Sequence, residues 1–412
     1  MKARNEPLGV NFRKLWMATG ISSLGDGIRE TVIPLLAASI TRDPLAVAMI
    51  TVAGSLPWLI FSLISGVVVD RLDRKRLMWR VDAFRAAAMC GLGVAVVTGW
   101  ARLPLLAVVA FLIGTGETLF QNAWLAILPS VVAKDQLERA NSRLYSAEIV
   151  SRQFSGPPIG SFLFAAAVTL PFFLDAASFA LSFILILSLR GSFQARGVDP
   201  GTVKPSMRSA IWEGLDWLWH QRLLRTLALM LGVWNLFGTA TLAIFVLYAL
   251  EILRLHSATY GVLLTTFAAG SLIGSFSARR IGVRLGTGTT LLMCISLGAV
   301  SAGVLGLTSS AIVAGAMMAL EGVVGTMWNI LTISLRQAII PDRLLGRVSS
   351  VYRLVGLGVA PIGALLGGLL ARPFGLRFPF LLTAGCLALM AILAIPILSN
   401  ESVEAARAAV FE

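Results

Sequence analysis

The chain has 412 residues, 57% of them hydrophobic and 13% charged, with a mean hydropathy of +0.83. Soluble proteins carry about a quarter charged residues, and a soluble globule of this size cannot hide so much apolar side chain. A soluble enzyme, a secreted disulfide scaffold and a disordered chain are therefore excluded, and 34 Lys and Arg against 21 Asp and Glu leave a net charge of +13 to be placed.

Apolar runs of about 20 residues match the thickness of a bilayer crossed by a helix. About twelve occur in this chain. The first six are Leu15–Ile40, Leu45–Val69, Leu77–Trp100, Leu103–Leu128, Leu144–Val168 and Phe172–Leu189. The second six are Thr226–Leu250, Ala258–Ala278, Thr287–Leu307, Ala311–Leu335, Val348–Leu370 and Phe378–Leu398. Their continuity, without a ten-residue alternating pattern, predicts helices rather than barrel strands. The first run carries Asp26, Arg29 and Glu30 and leads straight into a second span, unlike a signal peptide.

An even number of spans puts both termini on one side. About 25 Lys and Arg fall on that side, against Arg42, Arg102, Arg254, Arg372 and Arg377 on the other. The positive-inside rule then predicts both termini in the cytoplasm and a multi-pass protein of the cell's inner (plasma) membrane. The basic excess is a topology signal. Its scatter over many loops forms no basic stripe, so nucleic acid is not an expected partner.

Residues 191–224 interrupt the spans. The first part is rich in turn formers and reads as a linker. The second places Ile211, Trp212, Leu215, Leu218 and Trp219 on one helical face, the pattern of a helix lying in the cytoplasmic interface. The predicted organisation is an N-terminal six-helix half over 1–190, this linker over 191–224, a C-terminal half over 225–398, and a cytoplasmic tail over 399–412. The halves share traces of repetition. Glu117 and Trp124 correspond to Glu321 and Trp328 at an offset of 204 residues, and Pro158-Ile159-Gly160 to Pro361-Ile362-Gly363 at 203. Gly66 and Arg71 meet Gly274 and Arg279 at 208. Two parallel six-helix repeats leave such marks.

Cys90, Cys294 and Cys386 lie in apolar runs without a CxxC partner and read as small buried hydrophobes. With only His220 and His256 in the chain, no histidine-based metal or catalytic cluster is expected. No GxxxxGK[ST] phosphate loop occurs, so ATP is not the expected energy source. No cofactor is expected.

Between the second and third spans the chain reads Gly66-Val-Val-Val-Asp70-Arg71-Leu72-Asp73-Arg74-Lys75-Arg76. This resembles the GxxxDRxGRRx signature of the major facilitator superfamily, with Asp73 in place of the usual glycine. SSLGDGIRETVIPLL, VDAFRA, LPSVVAKDQLERANSRL and PFFLDAASFALS resemble the superfamily's branch of drug and siderophore exporters, which includes macrolide efflux proteins and the enterobactin exporter. The resemblance runs over nearly the whole chain. It implies an all-α polytopic protein of 12 transmembrane helices in two six-helix pseudo-symmetric halves. It also implies that Gly66, Asp70, Arg71, Arg74 and Arg76 form a conformational-switch motif. Gly156, Pro157 and Gly160 resemble the exporters' GPxxGG element, with Ser161 replacing its second glycine. The fourth span departs from proton-coupled relatives in lacking an arginine over Leu105–Gly116. A solvated basic turn and a packed helix kink account for the two motifs equally well as structure.

Ionisable groups at membrane depth are costly and are by default functional candidates. Asp26, Arg29 and Glu30 share the first span, with one acid able to neutralise Arg29 and leave the other free for a proton. Glu117 and Glu321 lie on equivalent spans with no charged neighbour within a turn. Glu148 and Arg152 are four residues apart, Arg152 has Glu117 as a second candidate partner, and Arg353 is the closest cation to Glu321. Static ion pairs are the alternative for each. Asp175, near the outer end of the sixth span, reads as structural, and Asp82 with Arg85 as a pair supporting the signature turn. Trp124 and Trp328, two turns beyond Glu117 and Glu321, are expected to wall an amphipathic cavity.

Together these readings predict a monomeric secondary transporter in the lipid bilayer that exports a small amphipathic compound by alternating access, driven by protons. Uptake or facilitated diffusion of a metabolite is the alternative transport reading. A membrane enzyme lacks a nucleophile–base or metal constellation, and a receptor lacks an appended domain.

Overall fold

The computed structural model describes residues 8–191, 193 and 207–408. Within them, the side chains of 62–64, 66–68, 70, 71, 134, 207–211, 342, 343, 345, 346, 350, 353, 357 and 406–408 are left undescribed. Every regular element among the described residues is helical. Helices α1 (Gly9–Ile40), α2 (Pro44–Arg71), α3 (Arg74–Val97) and α4 (Leu103–Ile127) follow the first four predicted spans. The fifth is composite: α5 (Leu137–Glu148), a π-helical segment (Ile149–Ser155) and α6 (Gly156–Ala166). The sixth is α7 (Leu170–Leu187), and α8 (Met207–His220) is the predicted linker helix. Then come α9 (Arg222–Leu247), ending in a second π-helical segment (Tyr248–Ile252), α10 (Ser257–Leu285), α11 (Thr287–Leu307) and α12 (Ala311–Ile339). The eleventh span divides into α13 (Asp342–Gly358) and α14 (Ala360–Phe374), and α15 (Phe378–Ala394) closes the set of twelve. Among the described residues, eight helical stretches are long and apolar enough by themselves to cross a membrane. Helices α1 and α3 are long enough but loaded with charge, which is where the functional interest lies.

Proline explains the break in the fifth span. Pro157 and Pro158 have no N–H, and their rings collide with the carbonyls a turn earlier. The wider π turn over Ile149–Ser155 absorbs that conflict. At the signature turn, Asp73 caps α3, its carboxylate accepting from the Arg76 N–H at 2.9 Å. The departure from glycine thus has a use. Arg74 donates to the Ala126 carbonyl at 2.7 Å, tying the turn to the end of α4, and Arg76 is exposed. Lys14 and Lys75 donate to the Ser188 and Leu189 carbonyls beyond the end of α7, both at 2.7 Å, where a helix C-terminus attracts cations. Gly66, Asp70, Arg71 and Arg353 sit on α2 and α13, and their side-chain surroundings lie outside the described residues.

The helices pack as two units. The first comprises Met1–Arg42, Met49–Val198 and Leu255–Thr265. In it α1 packs on α6 and α7, and α3 on α4 and α7. One core gathers Leu15, Met78, Phe120, Ile127 and Leu144. The second unit comprises Asp43–Ala48, Asp199–Arg254 and Thr266–Glu412, with α9 on α14 and α11 on α12 and α15. Its core includes Leu224, Cys294, Met327, Leu335 and Val348. Leu218 joins that core from α8, Glu213 pairs with Arg347, and Trp212 and Trp219 stay exposed. Ile211 lies outside the described side chains. The 399–412 segment is more than a loose tail: its described part forms α16 (Asn400–Ala408), and Asn400 donates to the Leu285 carbonyl at 2.9 Å.

Candidate functional site

Within the first unit the charged residues of five neighbouring spans meet in one chain of alternating sign. Glu30 binds Arg152 through both carboxylate oxygens, with Arg152 Nε at 3.1 and 3.2 Å. Arg152 NH2 donates to Glu117 Oε1 at 2.7 Å. The other Glu117 oxygen faces Arg29 NH2 at 3.5 Å, and that nitrogen donates to Asp26 Oδ1 at 2.8 Å. Arg85 NH2 stands 3.6 Å from the same Asp26 oxygen, and Arg85 NH1 3.9 Å from Asp82. Two acids branch off: Asp175 at 3.9 Å from Arg29 and Glu148 at 3.9 Å from Arg152. Asp26, Arg29, Asp82, Arg85, Glu117 and Asp175 are buried, whereas Glu30 has a side-chain exposure of 44%.

Close backbone approach makes this arrangement possible. Gly27 lies against the Arg152 carbonyl, so a Cβ there would collide with backbone, and a Cβ on Gly156 would stand 2.6 Å from the Gly27 Cα. Helix α1 can therefore seat itself on the π-helical segment and bring Glu30 beside Arg152. Gly160 belongs to the same contact, facing the Ile28 carbonyl, while the Pro157 carbonyl lies against Gly261 of α10. The element resembling the exporters' motif thus sets the register of a charged residue. Arg85 is held from α3 between aromatic faces, 4.5 Å from the Phe179 ring centroid and 5.6 Å from Phe120.

Several expectations need correction. Asp26 neutralises Arg29, but the other acid, Glu30, is not left free: it binds Arg152. Glu117 is not isolated, since helix neighbours in space supply two cations that its own helix lacks. Asp175 and Arg85 belong to the network, because position along a span reports depth and not the direction a side chain takes. A signal for Asp175 was present: Asp175, Ser178 and Ser182 follow at three and four residues, a polar stripe on an otherwise apolar helix. The two tryptophans are core residues and not cavity walls. Trp124 is buried, its indole N–H donating to Thr19 Oγ1 at 3.1 Å. Trp328, also buried, stacks on Trp234 at 6.1 Å. Glu321 is apart from all of these: its Oε2 is buried without a hydrogen-bond partner, and the neighbouring Ser301 hydroxyl donates to the Met317 carbonyl at 2.9 Å. Among the described residues no group of His, Cys, Asp and Glu is arranged to hold a metal ion.

Buried ion pairs cost desolvation that their attraction barely offsets, so they are weak devices for stability. In a membrane span they mark pathways for ions and polar groups. Twelve spans with such a network in the interior of one unit define a polytopic membrane transporter of small molecules, and not an enzyme. The chain belongs to the transmembrane secretion effector family of the major facilitator superfamily, whose family model matches residues 6–409. It is 28% identical over 397 residues to the multidrug efflux pump Tap of Mycobacterium tuberculosis, covering 92% of this chain and 91% of that one. It is 24% identical over 394 residues to macrolide efflux protein A of Streptococcus pyogenes, covering 93% and 95%. A crystal structure of a mutant of the nucleoside transporter NupG shares the fold at a TM-score of 0.76 and 10% identity, over 95% of this chain and 100% of that one.

Proposed function

We propose that this transporter exports a small amphipathic organic compound by alternating access, with inward proton flow as the energy source. The observation that carries the reading is the chain Glu30–Arg152–Glu117–Arg29–Asp26, which runs from the exposed Glu30 to the buried Asp26. Loading or removing one proton there changes the pairing of every arginine along it, which is how a small charge event biases two helix packings. The efflux pumps among the relatives support the export direction. In this reading the halves 1–190 and 225–398 move about the 191–224 linker, with both termini in the cytoplasm and the protein in the plasma membrane as a monomer. Gly66, Asp70, Arg71, Arg74 and Arg76 act at the cytoplasmic turn that the motion remakes, and Glu321 is a polar contact of the second half.

The test uses inverted membrane vesicles carrying a pH gradient, with accumulation of fluorescent dyes and macrolides measured for wild type and Glu117→Gln. Gradient-dependent accumulation in wild type and its loss in the variant is the expected result. Accumulation that ignores the gradient would sink proton coupling, and absence of transport for every compound would sink export.

A further inference from the structure

We propose that Asp82 and Asp175 are the carboxyls that hold protons in this network, while Asp26 and Glu117 remain ionised as counter-charges of the arginines. That these protons drive transport rests on the exporter reading; where they reside does not.

Charge balance comes first. Six acids, Asp26, Glu30, Asp82, Glu117, Glu148 and Asp175, contact three arginines, Arg29, Arg85 and Arg152. A dry interior does not tolerate the surplus as bare charge. Glu30 and Glu148 reach solvent, with side-chain exposures of 44% and 27%, but Asp82 and Asp175 are at 0%.

Geometry sets these two buried acids, like the part-exposed Glu148 at 3.9 Å from Arg152, apart from the carboxylates that close on arginine. Ionised carboxylates close on arginine to about 2.7–2.9 Å. Asp26 meets Arg29 at 2.8 Å and Glu117 meets Arg152 at 2.7 Å. Asp82 and Asp175 stand off at 3.9 Å from Arg85 and Arg29, beyond hydrogen bonding. Asp82 Oδ1 and Asp175 Oδ2 are both buried without a hydrogen-bond partner, and so is Arg29 Nε, the nitrogen that faces Asp175. A charged Asp175 would have drawn that N–H onto itself.

The surroundings are consistent with a neutral acid. Ser182 Oγ donates to Asp82 Oδ2 at 2.6 Å and Ser178 Oγ to Asp175 Oδ1 at 3.3 Å, and a hydroxyl suits either protonation state. Asp175 faces Arg29 and Asp26 of α1 and Arg85 of α3; α6, also packed on α7, brings no charged side chain. Asp82 faces Arg85 of its own helix, Asp26 of α1 and the Ser182 hydroxyl of α7; α4 brings Glu117, which is occupied by Arg152 and Arg29. When Asp175 releases its proton to water, its new charge competes with Asp26 and Glu117 for Arg29. The disturbance then reaches Arg152 and the π-helical segment.

The experiment is infrared spectroscopy of the purified full-length protein carrying Glu321→Gln, which takes that buried carboxyl out of the spectrum, at neutral pH, reading the C=O stretch of protonated carboxyl groups. Solvated Asp and Glu are ionised there and do not contribute. Protein grown with carboxyl carbon-13 aspartate is expected to shift the band, and protein grown with labelled glutamate to leave it in place. Asp82→Asn and Asp175→Asn should each remove part of the band, and the double variant nearly all of its aspartate-sensitive part. A band that follows the glutamate label, or that survives the double variant and disappears in Asp26→Asn, overturns the proposal. If the asparagine variants do not fold, the isotope shift of the Glu321→Gln protein still decides between Asp and Glu. A correct band in a protein without proton-driven transport would leave this assignment standing and remove the exporter reading.

Discussion

Glu117 and Glu321 occupy the same register in the two repeats, and each is followed by a tryptophan seven residues on. Their surroundings differ completely. Glu117 sits between Arg152 and Arg29, with Arg85 and further acids beyond. Glu321 has a buried oxygen without a hydrogen-bond partner and a serine hydroxyl as its polar neighbour. The tryptophans differ as well: Trp124 is tethered to Thr19 by its N–H, and Trp328 is stacked on Trp234. A repeat therefore preserves depth and helix face while the chemistry at that position diverges. The described electrostatic machinery is concentrated in the first unit.

The comparison breaks most severely if arginine is removed. Arg29→Ala leaves Asp26 and Glu117 short of a counter-charge and is expected to cost about 3–5 kcal/mol. Thermal unfolding in detergent should give it the lowest midpoint of the variants discussed here, and wild-type stability would show the network to be energetically idle. Next is Gly27→Leu, which forces α1 off the Arg152 carbonyl. Overpacking of this kind costs about 1–3 kcal/mol, and vesicle transport should fall at least about tenfold, a 1.4 kcal/mol effect on a rate. Unchanged transport would disconnect the glycine contact from function.

Smaller effects sharpen the contrast. Glu117→Gln deprives two arginines of their counter-charge and should lower the unfolding midpoint, whereas Glu321→Gln should be neutral within about 1 kcal/mol, since Glu321 has no cation among the described residues to lose and a neutral exchange costs little. Equal shifts would mean the two positions are equivalent after all. Thr19→Val removes the acceptor of the Trp124 N–H and should cost about 1 kcal/mol with transport retained. A large transport defect in that variant would restore Trp124 as a functional aromatic.

Much of the network was legible as a set of residues. Asp26, Arg29, Glu30, Glu117, Glu148 and Arg152 are conspicuous because charge is rare and costly inside apolar runs. Some partners were legible, such as Asp26 for Arg29 a turn away and Glu117 as a candidate for Arg152, but Glu30 with Arg152 and Glu117 with Arg29 were not. A helix advances 1.5 Å per residue, so sequence position gives depth well, but the azimuth of a span is set by its neighbours. Asp175 and Arg85 were assigned to the ends of their spans for that reason. The π-helical segment was also hidden: Pro157 and Pro158 announce a disturbed helix, yet the form of the disturbance depends on α1 lying against it.

By itself the sequence determined the twelve helical spans, their division by a polar linker, and the short roster of charges that a membrane interior cannot ignore. These follow from local quantities, the hydropathy of a run and the cost of burying a charge, which need no knowledge of partners. Tertiary structure alone decided that Glu30 meets Arg152 and that Glu117 and Asp175 face Arg29, that Trp124 and Trp328 are core, and that Asp82 and Asp175 stand away from their arginines. Those facts depend on how separate helices are seated on one another, set by backbone contacts such as Gly27 on Arg152. No local pattern encodes them.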